Sequence, residues 1–353
     1  MINIKIQGRD KQYPIFFEKD NITNLKNNIL NFLGNRNYIV VLAQAVEKIY
    51  GKDLNFPKEK VFVLKNGEHQ KNIKNYNKIM EFCFKNKLTR SDVIIAIGGG
   101  VAGDIAGFVA STYMRGIDYI QVPTTLLACV DSSVGGKVAI NNSWGKNLVG
   151  AFYQPKAVFI NPLFLKTLNI REFKTGLGEV VKYAFIEKSC NCAEEFNLIN
   201  FLEDNYEKIF GYNMKTLEDL IKICIKLKVA VVEQDEQESG LRRILNLGHT
   251  YGHAVEKITN YKKYTHGECV VAGMIFAFDL ALKNNLIEKN YYYLMQDVLK
   301  KFNFKQIPQY DLNKVLPLMK TDKKSSNNFI RYILPVDYAR VKEFEFNDVF
   351  TIS

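Results

Sequence analysis

The sequence predicts an α/β protein in which a mostly parallel sheet domain is followed by an all-helical domain. Short apolar runs alternate with helix-length polar segments through about the first 160 residues. This alternation is typical of a parallel sheet that helices cover on both faces. After Pro162 the apolar residues recur at helical spacing to about Lys320. We therefore predict domains at residues 1–162 and 163–353, with an active-site cleft between them.

Each predicted element follows from its own pattern. Residues 1–9 alternate apolar and polar side chains, as a half-buried strand does. Short apolar runs predict the other strands, at Tyr38–Leu42, Val61–Leu64, Val93–Ile97, Tyr119–Val122 and Ala157–Ile160. In the second domain, the amphipathic segment Glu218–Lys228 predicts a helix.

The composition narrows the class of protein. Hydrophobic residues make up 47% of the chain, enough for a large core, and the net charge is +11. Such a charge suits nucleic acid, a membrane surface or an anionic small molecule. However, the lysines are spread along the chain, and no basic run is interleaved with aromatic residues. We therefore expect a small anionic substrate and neither a nucleic-acid nor a membrane partner.

Cysteines and apolar stretches bear on the compartment. The six cysteines include no C-x-x-C pair, so neither a disulfide framework nor a thiolate zinc site is indicated. The N-terminus lacks the apolar core of a signal peptide. The longest apolar stretch, around Cys269–Phe278, is far shorter than the ~18 residues that begin to suggest a membrane span. We expect a soluble, cytoplasmic protein.

Histidines are the strongest sign of chemistry. The chain has four, and three of them, His249, His253 and His266, fall within 18 residues. Imidazole binds zinc and transfers protons near neutral pH. The alternative is that the three histidines are ordinary surface or core residues without a chemical role. Glu179 with two of these histidines would form a three-ligand site with an open position, as in catalytic zinc sites. The spacing does not choose between His253 and His266 as the partner of His249.

Glycine-rich and hydroxyl-bearing segments follow the predicted strands. Gly98–Gly107 follows Val93–Ile97, and its glycines would let backbone amides approach a phosphate at a helix start, or simply let a helix pack closely. Thr124 and Thr125 end the next strand, where open α/β sheets bind ligands, although a helix cap would look the same. The segment Asn66–Lys71 could offer a carboxylate to ribose, but taken alone it reads as an ordinary polar loop.

Charged side chains indicate an anionic ligand. Lys137 and Lys146 lie in glycine-bearing loops, where lysine often meets phosphate. Glu179 and Lys182 share a helix face, either as a surface ion pair or as charges that project into a cleft. Further cations and amides lie at Arg242, Arg243, Asn246, Lys323 and Lys324. So many cations favour a substrate with more than one anionic end.

Taken in order, these segments resemble the 3-dehydroquinate synthase family from about Gly67 to Lys324. The matching motifs are Gly98–Asp104, Tyr113–Gly116, Gln121–Leu127, Asp131–Lys137, Gly145–Leu148, Phe164–Thr167, Gly178–Lys182 and Leu247–Ala254. No one motif is decisive, but the ordered set is highly specific. The resemblance implies a Rossmann-like N-terminal domain that binds NAD and a helical C-terminal domain that binds metal and substrate.

The resemblance also implies an activity and a set of site residues. The activity is the cyclisation of 3-deoxy-D-arabino-heptulosonate 7-phosphate, a sugar phosphate, to 3-dehydroquinate with loss of phosphate. It uses NAD as a transient hydride acceptor and one divalent metal, zinc or cobalt. The metal would be held by Glu179, His249 and His266. The implied catalytic residues are Arg115, Asp131, Lys137, Asn147, Lys182, Lys228, Arg242, Asn246, His253 and Lys323. The implied cofactor residues are Gly67, Glu68, Lys71, Gly99, Gly100, Val101, Gly103, Asp104, Thr124, Thr125, Lys137, Lys146, Phe164 and Thr167.

Further expectations concern partners, cofactor affinity and alternatives. We expect a homodimer, in which Arg115 reaches a neighbouring subunit's phosphate. Where the family usually carries an Asp-x-Asn pair near the adenosine, this chain has Ala43-Gln44-Ala45, which predicts weaker NAD binding or a larger role for Glu68. The competing functions are a sister sugar-phosphate cyclase, a metal-dependent alcohol dehydrogenase, and a nucleic-acid-binding protein on an inactive cyclase fold. Lys228 and Arg242 favour a carboxylated substrate over the first of these.

Overall fold

The computed structural model describes residues 1–5, 12–19, 21–322 and 329–346. Within them the chain forms two compact units, one of Met1–Leu168 with Leu217–Glu236 and one of Asn169–Thr216 with Gln237–Ser353. The predicted α/β class, with a mostly parallel sheet followed by a helical region, is confirmed. No helix in the described ranges is long and apolar enough to cross a membrane.

The described residues form eleven strands, of which six coincide with strands predicted from the sequence. They are β1 Ile2–Lys5, β2 Gln12–Phe17, β3 Tyr38–Ala43, β4 Val61–Leu64, β5 Val93–Gly98, β6 Asp118–Pro123, β7 Lys137–Asn142, β8 Gly145–Phe152, β9 Ala157–Ile160, β10 Ile330–Asp337 and β11 Arg340–Phe346. The helices are α1 Ile22–Leu33, α2 Gln44–Leu54, α3 Ile73–Lys85, α4 Gly100–Thr112, α5 Ile170–Ile186, α6 Leu198–Asp204, α7 Tyr206–Phe210, α8 Met214–Gln234, α9 His249–Ile258, α10 His266–Lys283, α11 Lys289–Lys301 and α12 Leu312–Asp322.

Seven strands form the sheet of the first unit, in the order β1-β2-β9-β6-β5-β3-β4. All neighbours pair in parallel except β1 with β2. The interior strand β5 is buried along its whole length, which explains why its sequence is a continuous apolar run. Because β3, β4, β5 and β6 run in parallel, the segments that follow their carboxyl ends meet at one edge of the sheet.

Two apolar layers cover this sheet. On one face, α3 and α4 bury Ile79 and Ile105 against strand residues such as Ile94. On the other face, α1 and α2 bury Leu25 and Val46 against alternate strand residues. The alternation of the two clusters along each strand follows from the period of two in a strand.

Two hairpins are additions that the sequence pattern did not predict. Strands β7 and β8 pair antiparallel in the first unit, and β10 and β11 do so in the second. The prediction that the second domain is all helical is therefore wrong in this respect. The side chains of β8 are mostly exposed, so this strand shows none of the apolar alternation that marks a half-buried strand. The β7–β8 turn is closed by Asn142, whose Oδ1 accepts the N–H groups of Trp144 and Gly145.

Helix α8 also differs from the predicted domain division. Although it follows Pro162, most of it, from Leu217 onward, lies in the first unit. Its carboxylate Glu233 accepts the backbone N–H of Lys5 at 2.6 Å. Such tertiary contacts leave no trace in the helical periodicity that predicts a boundary at Pro162.

Candidate active site

Three helices of the second unit each supply one group to a possible metal centre. Glu179 lies in the middle of α5, whereas His249 and His266 are the first residues of α9 and α10. Their ligand atoms all lie within 4.8 Å of one another. The cluster therefore depends on how closely these three helices approach.

Glycines permit that approach because the helices meet backbone to backbone. A Cβ at Gly267 of α10 would lie 2.1 Å from the carbonyl oxygen of Thr175 in α5. A Cβ at Gly178 of α5 would in turn lie 2.8 Å from the Gly267 carbonyl oxygen. Between α9 and α10, a Cβ at Gly252 would lie 2.8 Å from the Cys269 carbonyl oxygen. Any larger residue at these positions would force the helices apart.

Local capping places the two histidines at the helix starts. Gly248 precedes α9 with φ of 79°, a left-handed conformation that glycine adopts without strain. Thr265 precedes α10, and its hydroxyl and the Glu268 carboxylate form a capping box. Glu268 also accepts two hydrogen bonds from Arg171 of α5, at 3.0 and 2.8 Å. This ion pair joins the two helices that carry Glu179 and His266.

The distances suit a tetrahedral metal ion. His266 Nε2 lies 3.3 Å and His249 Nε2 lies 3.6 Å from Glu179 Oε1. Ligand atoms at ~2.0–2.1 Å from a tetrahedral zinc ion lie about 3.3 Å apart. One carboxylate and two imidazoles are also a donor set that zinc and other divalent transition metals accept. The three groups therefore fit a metal site with an open position.

A second group of possible ligands, His253, Glu256 and His266, overlaps the first. Two contacts favour the first set. His249 Nδ1 lies 3.1 Å from the Leu247 carbonyl oxygen, and His266 Nδ1 lies 3.5 Å from Glu256 Oε1. Metal-binding histidines usually donate their second ring N–H to such an oxygen, which directs the other nitrogen at the ion. Here that other nitrogen is Nε2, and in both histidines it faces Glu179.

The two imidazoles have opposite pKa shifts. Burial, helped by the Lys182 charge, lowers the pKa of His249 well below its usual value, although Glu179 opposes this. Burial also disfavours the charged form of His266, but its hydrogen bonds to Glu179 and Glu256 outweigh burial and raise its pKa to about 10. The difference arises because His266 faces two carboxylates.

The other implied substrate residues of the second unit lie in α5, in the segment before α9, or in α9 itself. The Lys182 ammonium forms an ion pair with Glu179 Oε2, and both side chains are buried, so the surface ion pair considered from the sequence is excluded. Arg242 is also buried, at 2% exposure. The Asn246 amide donates to the Glu238 carboxylate. His253 is half-buried, with its ring centroid 5.2 Å from that of His249.

In the first unit, a buried ammonium organises the loop that follows β4. Lys71 is only 4% exposed. Its Nζ lies 2.8 Å from Asp104 Oδ2, 2.6 Å from Asn147 Oδ1 and 3.3 Å from Glu68 Oε1. Burial lowers the pKa of Lys71, but Asp104 and Glu68 outweigh it, so the pKa lies above its usual value and the side chain stays charged. Segment Asn66–Lys71 is therefore more than the ordinary polar loop that its sequence alone suggested.

The glycine-rich segment forms the start of α4. Gly99 is the residue before the helix, and Gly100 and Val101 open it, so the first N–H groups point out of the helix end. A Cβ at Gly99 would lie 3.0 Å from Thr125 Cγ2, and one at Gly103 would lie 2.6 Å from Gln121 Oε1. Both interpretations from the sequence thus have support, because Gly103 serves close packing while the helix start suits the phosphates of a cofactor.

The remaining implied cofactor residues lie near the carboxyl end of the sheet or beside it. The Thr125 hydroxyl accepts the N–H of Ala128, as the helix-cap alternative predicted, and Thr124 donates its N–H to Gly98. Phe164 is buried against the ring of Tyr50, whose hydroxyl lies 3.0 Å from that of Thr167. Gly67, with φ of 105°, precedes Glu68.

Cations of the first unit occupy different environments. Buried Lys228 of α8 donates to Asp131 Oδ1 at 2.7 Å. Lys137, at the start of β7, is exposed, and Lys146 is half-buried. Arg115 is exposed and has left-handed φ of 67°. Lys323 lies outside the described residues.

The departure at Ala43–Ala45 lies where β3 passes into α2. The N–H of Ala45 donates to Asn66 Oδ1 at 3.1 Å, so a side chain from the neighbouring loop caps this helix. The Ala43 side chain packs against the end of β5, where glycine leaves room for it. A Cβ at Gly98 would lie only 2.8 Å from the Ala43 Cβ.

Sequence reasoning missed two buried or partly buried groups that contact implied site residues. Glu256 contacts His266, and its place one helix turn after His253 was the available signal. Asn141 donates to Glu68 Oε1 at 2.7 Å, but nothing in its sequence position distinguishes it from the adjacent Asn142.

Comparison with known proteins matches this chain to one family. The family model for the 3-dehydroquinate synthase N-terminal region matches residues 61–175, and the model for the C-terminal region matches residues 176–325. A 3-dehydroquinate synthase of Prochlorococcus marinus subsp. pastoris is 39% identical over 352 residues, covering 96% of this chain and 94% of the relative. That of Alkaliphilus metalliredigens is 44% identical over 310 residues, covering 86% and 85%.

A similar solved structure is that of 2-deoxy-scyllo-inosose synthase complexed with carbaglucose-6-phosphate, NAD+ and Co2+. It aligns with a TM-score of 0.84 and 28% identity, covering 99% of this chain and 96% of the other. Because two family models together match well over half of the chain and the curated relatives align along nearly all of it, the chain belongs to the 3-dehydroquinate synthase family.

Proposed function

We propose that this protein converts 3-deoxy-D-arabino-heptulosonate 7-phosphate to 3-dehydroquinate and phosphate. It is an NAD- and metal-dependent carbon–oxygen lyase of the shikimate pathway and so serves aromatic amino acid biosynthesis. The observation that carries the proposal is the convergence of His249 Nε2 and His266 Nε2 on Glu179 Oε1, at 3.6 and 3.3 Å. Family membership supports the same activity.

Zinc or cobalt would be held by Glu179, His249 and His266, with His253 outside the set. The similar 2-deoxy-scyllo-inosose synthase structure, which holds NAD+ and Co2+, supports both cofactors. When bound, the metal would favour ionisation of a substrate hydroxyl, and NAD would accept a hydride and return it later in the cycle. NAD would bind at the start of α4 and beside Glu68 and Lys71.

The chain's own residues would bind and orient an anionic substrate. Lys182 forms a buried ion pair with Glu179, and its ammonium would stabilise negative charge that develops at a substrate hydroxyl. Lys228 holds the Asp131 carboxylate in place, and that carboxylate could take a proton from a hydroxyl. The planar guanidinium of buried Arg242 can donate a bidentate pair of hydrogen bonds to the substrate carboxylate. The other implied phosphate and substrate residues are Lys137, Asn147, Asn246, His253 and Lys323.

We further propose that the protein is a cytoplasmic homodimer. Arg115 follows α4 on left-handed backbone and is exposed. A residue that reaches the phosphate bound by a neighbouring subunit must lie at the surface, so this exposure supports the proposal. The substrate is a small sugar phosphate, and we expect neither nucleic acid nor membrane as a partner.

The test is phosphate release from the heptulosonate phosphate, with and without NAD and with and without a metal chelator. Release should require both NAD and metal, and NADH should not accumulate. NADH formed mole for mole with product would indicate an alcohol dehydrogenase instead. Equal or faster turnover of sedoheptulose 7-phosphate, which lacks the carboxylate, would indicate a sister cyclase. Salt-sensitive DNA binding without phosphate release would indicate the nucleic-acid alternative.

A further inference from the structure

The side chain of Asn141 is engaged at both ends of its amide. Its Nδ2 donates to Glu68 Oε1 at 2.7 Å, and its Oδ1 accepts the backbone N–H of Asn147 at 3.0 Å. Its own backbone N–H donates to the Lys71 carbonyl oxygen at 2.8 Å. One half-buried residue of β7 thus connects the loop that follows β4 with the start of β8.

The two residues that Asn141 joins need external support to hold their positions. Asn147 has left-handed φ of 58°, a conformation that costs energy for residues other than glycine, although asparagine tolerates it best. Glu68 is 38% exposed, so without partners its carboxylate would sample several rotamers. Hydrogen bonds from a short, rigid amide restrict both groups at once.

Lys71 also links Glu68 with Asn147, independently of Asn141. Lys71 Nζ donates to Asn147 Oδ1 and also pairs with Glu68 and Asp104. Lys71 is buried but charged, so an incoming anion would attract its ammonium and compete with these contacts. Asn141 is neutral and held by its backbone, so its contacts need not change when an anion binds.

We propose that Asn141 is a positioning residue that fixes the cofactor-side carboxylate of Glu68 and the substrate-side amide of Asn147 relative to each other. The inference rests on the proposed function, because the roles of Glu68 and Asn147 come from it. The Nδ2 end serves Glu68 and hence NAD, whereas the Oδ1 end serves Asn147 and hence the heptulosonate phosphate. The two ends can therefore be separated by substitution.

The experiment compares N141A, N141D and the control N142A as full-length, metal-loaded protein. NAD affinity is measured by quenching of intrinsic fluorescence, the kinetic constants by phosphate release, and folding by thermal unfolding. N141D keeps an acceptor for the Asn147 N–H but loses the donor to Glu68 and places a second negative charge beside it. N142A removes the side chain that closes the same hairpin turn without touching Glu68 or Asn147.

We expect N141D to weaken NAD binding about tenfold or more, the effect of losing one hydrogen bond to a charged group, while KM for the heptulosonate phosphate stays near the wild-type value. N141A should weaken NAD binding and also raise this KM, whereas N142A should change neither. Equal effects of N141A and N142A would overturn the inference, since Asn141 would then act only through hairpin stability. So would a KM shift in N141D as large as that in N141A.

Failure of the proposed function would look different. A wild-type protein that shows no NAD-dependent phosphate release would overturn that function whatever the variants do. If the wild type has the activity and the pattern of the variants is absent, only the role of Asn141 is wrong. Should N141A unfold, N141D still decides, because it keeps the size of the side chain and the bond to Asn147.

Discussion

Replacing Gly267 with alanine should separate two helices and weaken metal binding. The new Cβ would lie 2.1 Å from the Thr175 carbonyl oxygen, whereas ordinary contact begins at 3.4 Å. Since the carbonyl belongs to the backbone of α5, no side chain can move aside to relieve the overlap. The helices must move apart by about 1 Å to restore normal van der Waals separation.

That movement acts directly on the metal ligands. His266 immediately precedes Gly267, and its Nε2 lies 3.3 Å from Glu179 Oε1 on the facing helix. Metal–ligand distances tolerate deviations of only ~0.2 Å, so a shift of about 1 Å should remove one ligand from the set. Disturbing the support of a ligand already costs ~10–100-fold in metal affinity, and we expect the upper end of that range or more. The free energy of unfolding should fall by ~1–3 kcal/mol through overpacking.

The assay is a zinc titration in competition with a chromogenic chelator, together with thermal unfolding. Gly51 provides the matched control, because a Cβ there would meet only the flexible Glu47 side chain, at 3.6 Å or more. Gly51→Ala should leave zinc affinity unchanged and leave stability unchanged or slightly higher. Wild-type zinc affinity in a folded Gly267→Ala variant would refute the reasoning, since the close contact of the helices would then not determine the geometry of the ligands.

Three further predictions test other residues. His253→Ala should keep zinc near one equivalent per chain while activity falls, and His266→Ala should lose the metal; the reverse result in a metal assay would move His253 into the ligand set. Arg242→Lys should lower kcat/KM for the heptulosonate phosphate about 10- to 100-fold while leaving NAD affinity nearly unchanged, because a point charge replaces a planar fork; equal kinetics would remove Arg242 from carboxylate binding. In thiol titration of the native protein at pH 8, Cys192 should react fast and the five other cysteines slowly, because those five are buried and burial raises the pKa of the Cys83 thiol to about 12; two or more fast-reacting thiols would contradict this.

The sequence by itself determined six of the seven strands of the sheet, all but β2, and the kind of chemistry. Strand β5 was predictable because a parallel strand covered on both faces must be apolar at every position. The exposed strand β8 carries no such constraint and was missed. A metal site was predictable because the chain has only four histidines and places three of them close together. Metal binding and proton transfer are the main uses of such a cluster. The roles proposed for individual substrate residues rest on the resemblance of the ordered motifs to the family rather than on spacing.

Only the tertiary structure decided which histidines face Glu179. Spacing brings His249 and His253 to one side of a single helix, and on that ground either His253 or His266 could join His249. His266 instead begins a different helix, and it reaches Glu179 because Gly267 lets the backbones of α5 and α10 touch. The contact of Glu256 with His266 and that of Asn141 with Glu68 could not be predicted for the same reason. A hydrogen bond between residues far apart in the chain imposes no periodicity on the sequence, so it appears only when folding brings the two side chains together.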